Sequence, residues 1–545
     1  MGGKDRGEGG ILIPIFIEIL QMIFDFICKD FSSIYYRILL LINQILFSKN
    51  KVAGIPPGLN RKKYPGHFDY KFNFLINNNK CFLARSLKLM ARGFFRNFSF
   101  QTVDMHRRKF LLQSSGAMAA TVLPRTLLAG MHFKKQRIAM VGTGHRGLGM
   151  WGTPVLKEFG DKVEFVGLCD INPGRVETGK KMLGVTCPTF TGFDKMMRET
   201  KPEKLMVMTV DGTHHEFIIK GMEYGADIIS EKPMTIDEEK CQAILDAEKR
   251  TGKKVIVTFN YRYSPHRQKI YELLQNDTIG KLTSVDFHWY LDVYHGADYF
   301  RRWHRLRTHS GSLLVHKSTH HFDLLNWWID SDPAEVVAYG ALEFYGKNNS
   351  FRHTDCRSCP YKKDCKFFWD ITKNQRLVDL YVKNQQHDGY LRDGCVWRGD
   401  IDIFDKMAVQ IKYANNVQVS YSLTTYSPYE GYRIAFNGTK GRLEAWIKER
   451  QPWKEDQYDE LELTTNFGKR EIIRIDNSEE GHGGGDIRLR KQVFEPGIDP
   501  YRQSAGSRDG TMSCLIGIAA RNSIDTGKPI KIEDLTSLKP LAKRI

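Results

Sequence analysis

A strand-like run, Arg137-Ile138-Ala139-Met140-Val141, passes without a break into Gly142-Thr143-Gly144-His145-Arg146-Gly147. This junction restricts the chain more than any other segment. Gly142 permits a tight turn, Gly144 lets backbone approach a pyrophosphate, and Gly147 lets the following helix pack on the strand. The free N–H groups at the start of that helix face the ligand. A second apolar run, Val163-Glu164-Phe165-Val166-Gly167-Leu168-Cys169, closes on Asp170. An acid at that offset accepts from a ribose hydroxyl and repels a 2′-phosphate. The pattern specifies a dinucleotide pocket that suits NAD better than NADP.

The rest of the first domain, residues 134–262, alternates between strand-like and helix-like segments. Residues 205–210, 226–230 and 254–258 read as short strands, and 192–200 and 238–251 as helices. Such alternation predicts a doubly wound parallel sheet, an α/β Rossmann architecture. The pattern changes over residues 263–535. Val285, Phe287 and Trp289 alternate with polar neighbours. Met407, Val409, Ile411 and Tyr413 then precede Asn415-Asn416, followed by Val417, Val419, Tyr421 and Leu423. That is a hairpin with an Asn-rich turn. The second half is expected to be a C-terminal α/β domain with an open, mostly antiparallel sheet.

The net charge of +18 over 545 residues suggests nucleic acid at first sight. Its distribution argues otherwise. Residues 1–130 hold 19 Lys/Arg and 7 Asp/Glu, leaving about +6 for the remainder. No basic helix interleaved with aromatics is present, so no nucleic-acid partner is expected. Residues 1–104 have no coherent pattern and read as a non-native or disordered extension ahead of a start at Met105. The apolar stretch from Ile11 to Cys28 is interrupted by Glu18, Gln21 and Asp25, so no stable span is expected in the mature protein. After Met105, His106-Arg107-Arg108-Lys109-Phe110-Leu111-Leu112 and the small apolar residues 114–123 read as a twin-arginine export signal within residues 105–133. This route carries folded, cofactor-loaded chains and implies a periplasmic or otherwise exported protein.

The ordered set Gly142-x-Gly144-x-x-Gly147, Thr209-Val210-Asp211-Gly212-Thr213-His214, Glu231-Lys232-Pro233, Arg262-Tyr263-Ser264-Pro265 and His320-His321-Phe322-Asp323 resembles the Gfo/Idh/MocA family, named for glucose–fructose oxidoreductase and inositol dehydrogenase. The resemblance covers residues 134 to about 535. It implies an active site between the two domains, over a nicotinamide, and a sheet that often builds homo-oligomers. It places Lys232 near substrate and nicotinamide and makes His320 the acid/base. Histidine suits that role because its pKa lies near working pH. His145, Arg146, Thr209, His214, Glu231 and Arg262 are expected to join the glycines and Asp170 around the cofactor. The chain departs from the family pattern at one point. The aspartate usual four residues before the catalytic histidine is His316 here, so the familiar Asp–His pair is expected to be absent. His316 and Lys317 are candidates for proton handling or for binding an anionic group.

Two further clusters stand out. Tyr290, Arg302, Trp303 and His304 combine aromatic faces with cationic donors, as substrate contacts for a sugar would, and Lys317 and His482 are added to that set. Cys356, Cys359, Cys365 and Cys395 fall in a polar insertion over residues 352–396. Four thiolates at this spacing suit a structural zinc, the preferred reading because CxxC forms a metal knuckle. Two disulfides or an iron–sulfur cluster are the other readings. The whole points to an NAD-dependent oxidoreductase acting on a carbohydrate or glycoside at a ring carbinol. A glycoside hydrolase with transient oxidation and elimination, and a non-catalytic sugar- or nucleotide-binding protein, are the alternatives.

Overall fold

The computed structural model describes residues 134–454, 457–477 and 483–544. The expected start codon, the twin-arginine segment and His482 lie outside the described residues. The first sheet contains β1 (Gln136–Val141), β2 (Val163–Cys169), β3 (Thr189–Phe190), β4 (Lys204–Val207), β5 (Asp227–Ser230) and β6 (Val255–Val257), in the order β3-β2-β1-β4-β5-β6. All neighbours are parallel. This is the doubly wound order, whose ligand crevice opens at the carboxyl end of β1. The helices are α1 (Thr153–Phe159), α2 (Pro173–Leu183), α3 (Phe193–Thr200), α4 (His214–Glu223) and α5 (Glu238–Thr251). The limits of α5 follow from its ends: Asp237 accepts from the Lys240 amide, and Gly252 takes a left-handed cap. β4 stops at Val207, short of the expected Val210, because residues 211–213 already form a helical turn.

The second sheet has nine strands in the order β14-β13-β12-β11-β7-β10-β9-β8-β15. They are β7 (Leu282–Asp292), β8 (Pro333–Ala341), β9 (Lys406–Tyr413), β10 (Gln418–Ser427), β11 (Glu430–Gly438), β12 (Gly441–Arg450), β13 (Tyr458–Thr465), β14 (Arg470–Asp476) and β15 (Ile530–Lys531). Only β7 and β10 run parallel, so the sheet is mostly antiparallel as expected. Alternation in β7 buries Val285, Phe287, Trp289 and Leu291 completely. Asn416 takes φ 69° in the β9–β10 turn, a conformation asparagine tolerates better than most residues.

Further helices are α6 (Pro265–Gln275), α7 (Val293–Arg301), α8 (Ser318–Ile329), α9 (Gln375–Leu380), α10 (Gly485–Phe494) and α11 (Ser507–Thr526). Every residue of α8 is buried. Val207 and Ile228 of the first sheet belong to the same continuous apolar cluster as Phe287, Trp328 and Leu515 of the second domain. One core therefore spans both domains and fixes the cleft between them. The insertion before β9 adds a small cluster, in which Ile371, Leu377, Leu380 and Tyr381 cover Leu148 behind the glycine turn.

Candidate active site

The glycine turn has the geometry its spacing demands. Gly142 has φ 93°, and a Cβ there would lie 2.5 Å from the Met208 carbonyl carbon. A Cβ on Gly147 would meet the Gly142 oxygen at 2.4 Å. Only glycine gives this close approach, which leaves a cradle where phosphates fit. Asp170 closes β2 and is 6% exposed. It accepts from the Thr143 amide at 2.9 Å, the Asn172 amide at 3.0 Å and Arg175 Nη1 at 3.1 Å. Arg175 also donates to Asp388 of the insertion at 2.5 Å. Ile171, beside Asp170, is 81% exposed and offers an apolar platform at the rim. The insertion reaches the turn itself, because the His145 amide donates to the Tyr381 hydroxyl at 2.7 Å. The His145 ring is pushed down to about 4 by burial and by Arg392, Arg376 and Arg302.

Glu231 is the link from cradle to chemistry. Its carboxylate accepts from Arg146 Nε and Trp151 Nε1, both at 2.7 Å, and from the Lys232 amide at 3.2 Å. It anchors the glycine turn and the lysine as one unit. His214 fixes the other side: Nδ1 lies 2.8 Å from the Pro233 oxygen and Nε2 3.2 Å from the Thr209 oxygen. Glu231, His214 and Thr209, expected at the cofactor, thus position the Lys232 turn through these contacts.

Lys232 Nζ donates to the His316 carbonyl at 2.9 Å. Burial brings its pKa down to about 8, against the opposing pull of Asp211 and Glu231. His316 Nδ1 lies 2.6 Å from Asp211 Oδ2. An Asp–His pair is therefore present after all, built across the domains. The expectation of its absence fails because the carboxylate comes from the turn after β4 and not from the preceding helical turn. Burial drives Asp211 well above the usual carboxylate range and His316 well below the usual imidazole range. Both shifts favour uncharged forms. The His304 ring lies 4.2 Å from His316, stacked on Trp303 at 3.6 Å.

His320 occupies the first turn of α8 and stacks on Tyr261 at 4.2 Å. Lys317 Nζ donates to the Tyr261 hydroxyl at 2.9 Å, so lysine, tyrosine and histidine form one buried array. His321 faces away, toward the Tyr421 hydroxyl at 2.7 Å and the Trp289 ring at 3.8 Å.

A cleft of about 600 Å³ opens alongside, lined by Tyr294, His295, Asp298, Trp369, Arg392 and Arg450 among others. That volume suits a sugar-sized ligand. It abuts the histidines through Tyr299, whose ring is 5.0 Å from His295 and 5.3 Å from His316. Arg302 pairs with Asp298 at 2.8 Å at the edge of this cleft. Tyr290 is set apart, packing near Tyr429 at 5.5 Å. Trp369 and Arg392 come from the insertion, which has no periodic pattern that could have flagged them.

Two expectations need correction. Arg262 is 1% exposed and forms a bidentate pair with Asp323, at 2.7 and 2.5 Å, plus a contact to Asp509 at 3.1 Å. Its guanidinium is consumed by this network and does not serve as a cofactor contact. The four cysteines do line one cavity. Among the described residues, however, no three His, Cys, Asp or Glu side chains are arranged to hold a single metal ion. The preferred zinc knuckle is therefore not arranged among these residues, and all four side chains are free thiols.

Residues 136–259 match the domain described as "Oxidoreductase family, NAD-binding Rossmann fold" of the GFO_IDH_MocA group, and residues 271–532 match its C-terminal alpha/beta domain. The Bacillus subtilis (strain 168) protein YteT is 36% identical over 427 residues, 74% of this chain and 99% of its own length. An inositol 2-dehydrogenase/D-chiro-inositol 3-dehydrogenase of Lactiplantibacillus plantarum is 22% identical over 178 residues, 32% of this chain and 48% of its own. The solved structure of levoglucosan dehydrogenase, in complex with NADH and L-sorbose, shares the fold with a TM-score of 0.55 at 17% identity, covering 73% of this chain and 99% of that one. With both domains matched in order around a glycine cradle and its neighbouring lysine, this chain belongs to the Gfo/Idh/MocA oxidoreductase family.

Proposed function

We propose that this oxidoreductase transfers hydride between NAD and a ring carbinol of a carbohydrate or glycoside. The observation that carries the reading is Lys232, an ammonium tied to the glycine turn through Glu231 and to the Asp211–His316 pair through the His316 carbonyl. The bound nicotinamide supplies the hydride acceptor or donor. The protein's own groups handle the proton and the charge. His320 takes the hydroxyl proton, and the Lys232 ammonium stabilises negative charge growing on the substrate oxygen. The cleft beside Tyr299 holds the sugar, with Trp369 and Tyr294 as stacking faces and Arg392 and Arg450 as donors. Mass-spectrometric product analysis on a panel of sugars, polyols and glycosides, with and without added NAD, tests this. A product two hydrogens lighter, growing with added NAD, supports net dehydrogenation.

A second reading, hydrolysis of a glycoside by transient oxidation on a retained cofactor, is favoured by one feature. The insertion closes over the cradle through Tyr381 on His145, Asn384 on Asn172 and Asp388 on Arg175. Cleaved sugar without added NAD would establish that reading and remove the first. Unchanged substrates throughout would sink both and leave a binding protein.

The choice of NAD over NADP rests on Arg175 being shared by Asp170 and Asp388, which leaves net negative charge where a 2′-phosphate would lie. The Asp388→Asn variant is expected to narrow the affinity ratio in favour of NADP by about tenfold, about 1.4 kcal/mol. Tighter binding of NADP by the unaltered protein would refute the assignment.

Export rests on the sequence alone. Replacing Arg107 and Arg108 by lysine should leave the protein in the cytoplasmic fraction, and unchanged fractionation would count against export. Self-association is supported by Tyr339 and Trp446, 78% and 42% exposed on the strands of the open sheet. Light scattering at the monomer mass would contradict it. Among the described residues no helix is long and apolar enough to cross a membrane.

A further inference from the structure

The walls of the cleft beside Tyr299 carry a surplus of positive charge. Arg301, Lys366, Arg392 and Arg450 line it, and Asp298 is the one carboxylate among the lining residues. Partners outside the cleft do not even the balance. Arg450 pairs with Asp292 at 3.0 Å, and His295 with Glu430 at 2.7 Å. Asp298 is already taken by Arg302 at 2.8 Å. Arg301, Lys366 and Arg392 remain without a carboxylate of their own.

Two of these three are buried. Arg392 is 8% exposed, and among the described residues its one carboxylate contact is Asp298, at 4.0 Å. Its buried Nε has no hydrogen-bond partner among the described residues. Arg301 is 6% exposed and donates to Cys356 Sγ at 3.1 Å and to the carbonyls of Phe367 and Gly394. Against the cost of desolvation, the fields of Arg302, Arg392, His295 and Arg301 hold the Asp298 carboxyl below its usual range. A buried guanidinium with unused donors is costly unless an anion comes to it.

The position of Arg392 says which anion. Its guanidinium lies 5.4 Å from the ring of Tyr381, whose hydroxyl accepts from the His145 amide of the glycine turn. The cofactor phosphates are met by that turn, whereas Arg392 lines the cleft, so its anion is a group of the substrate. The walls favour a carboxylate over a phosphate. A guanidinium edge matches a flat carboxylate through two parallel hydrogen bonds. A single charge also loses less hydration than a dianion against Phe367, Phe368 and Trp369, and Asp298 repels it less.

We propose that the substrate is an acidic sugar, a uronic acid or its glycoside, whose carboxylate is bound by Arg392 with Arg301 behind it. This rests on hydride transfer as the reaction and adds the charge of the molecule that undergoes it. Trp369 and Tyr294 face the sugar ring, and Arg392 determines specificity. A neutral sugar fits the same volume but leaves the Arg392 donors unpaired, so the cleft rejects it.

The test compares D-glucuronate, D-galacturonate and their methyl glycosides with the neutral hexoses and with hexose 6-phosphates, on the unaltered full chain with NAD. The expected kcat/KM for the acid exceeds that of its neutral twin by at least about 100-fold. Arg392→Gln should raise KM for the uronate by at least about 30-fold, and Arg392→Lys should recover part of the loss. Equal kcat/KM for acid and neutral sugars would overturn the proposal and leave hydride transfer standing. A preference for the hexose 6-phosphate would overturn the carboxylate assignment. So would an Arg392→Gln variant that loses NAD affinity as much as uronate affinity, since Arg392 would then serve the cofactor. If no sugar is oxidised, hydride transfer fails, and calorimetry with uronate on the NAD-loaded chain decides the acid site separately. Binding that Arg392→Gln abolishes upholds it, and no binding overturns it. The sugar comparison on the unaltered chain holds even if the variants fold poorly.

Discussion

Replacing Lys232 by methionine is expected to lower kcat by about 100- to 1000-fold while NAD still binds, the loss seen when one donor to a developing oxyanion is removed. Methionine keeps most of the volume, so the buried turn should survive. Glu231 would still hold Arg146 and Trp151, and the cradle would be unchanged. The pH profile gives a second signature. Burial sets the Lys232 pKa at about 8, and the group acts as a cation. Activity is then present below that value and falls as pH rises through it. In the methionine variant the residual rate should have no such alkaline limb. Steady-state kinetics from pH 6 to 10, alongside equilibrium titration with NAD, checks both points. An alkaline limb kept in the variant would assign the titration to another group.

Arg262→Ala is expected to cost about 3–5 kcal/mol of stability, because it leaves the Asp323 carboxylate buried without its partner. Asp323 is 1% exposed, and burial already lifts its pKa to about 6 despite the guanidinium. Asp509 and Arg544 share the network, with Arg544 donating to Asp509 at 2.7 Å. The pairing joins the end of the first domain to α8 and α11, so its loss is felt across the common core. NAD affinity measured on the folded fraction should change by less than about threefold. Denaturant unfolding with nucleotide titration separates the two roles. A large loss of NAD affinity at unchanged stability would return Arg262 to the cofactor site.

These two residues show what the sequence made legible. The glycine turn, Asp170 and Lys232 could be read because their spacing is dictated by backbone geometry within short segments. Strands β1, β2, β4 to β7, β9 and β10 and helix α5 followed from local apolar patterning for the same reason. Asp211 was visible in its motif, but its bond to His316 spans 105 residues, and no local pattern encodes such a pairing. Arg262 sat in a motif that marks its importance without telling an ion-pair node from a ligand contact. That distinction depends on Asp323 and Asp509 arriving from α8 and α11. Trp369 and Arg392 were hidden because the insertion lacks regular periodicity and takes its shape from tertiary contacts. The cysteine spacing announced metal chemistry, but whether the thiols converge depends on two segments that meet only through the Asp355–Gly394 bridge, which local spacing does not encode.

The central claim, hydride transfer at a carbinol carbon, is met most directly by isotope tracing. The first substrate turned over in the product panel would be prepared with deuterium on the reacting carbon. Deuterium recovered on the nicotinamide, with a primary isotope effect on kcat/KM, is the expected result. Deuterium released to solvent with none on the nicotinamide would contradict it and replace hydride transfer with proton abstraction.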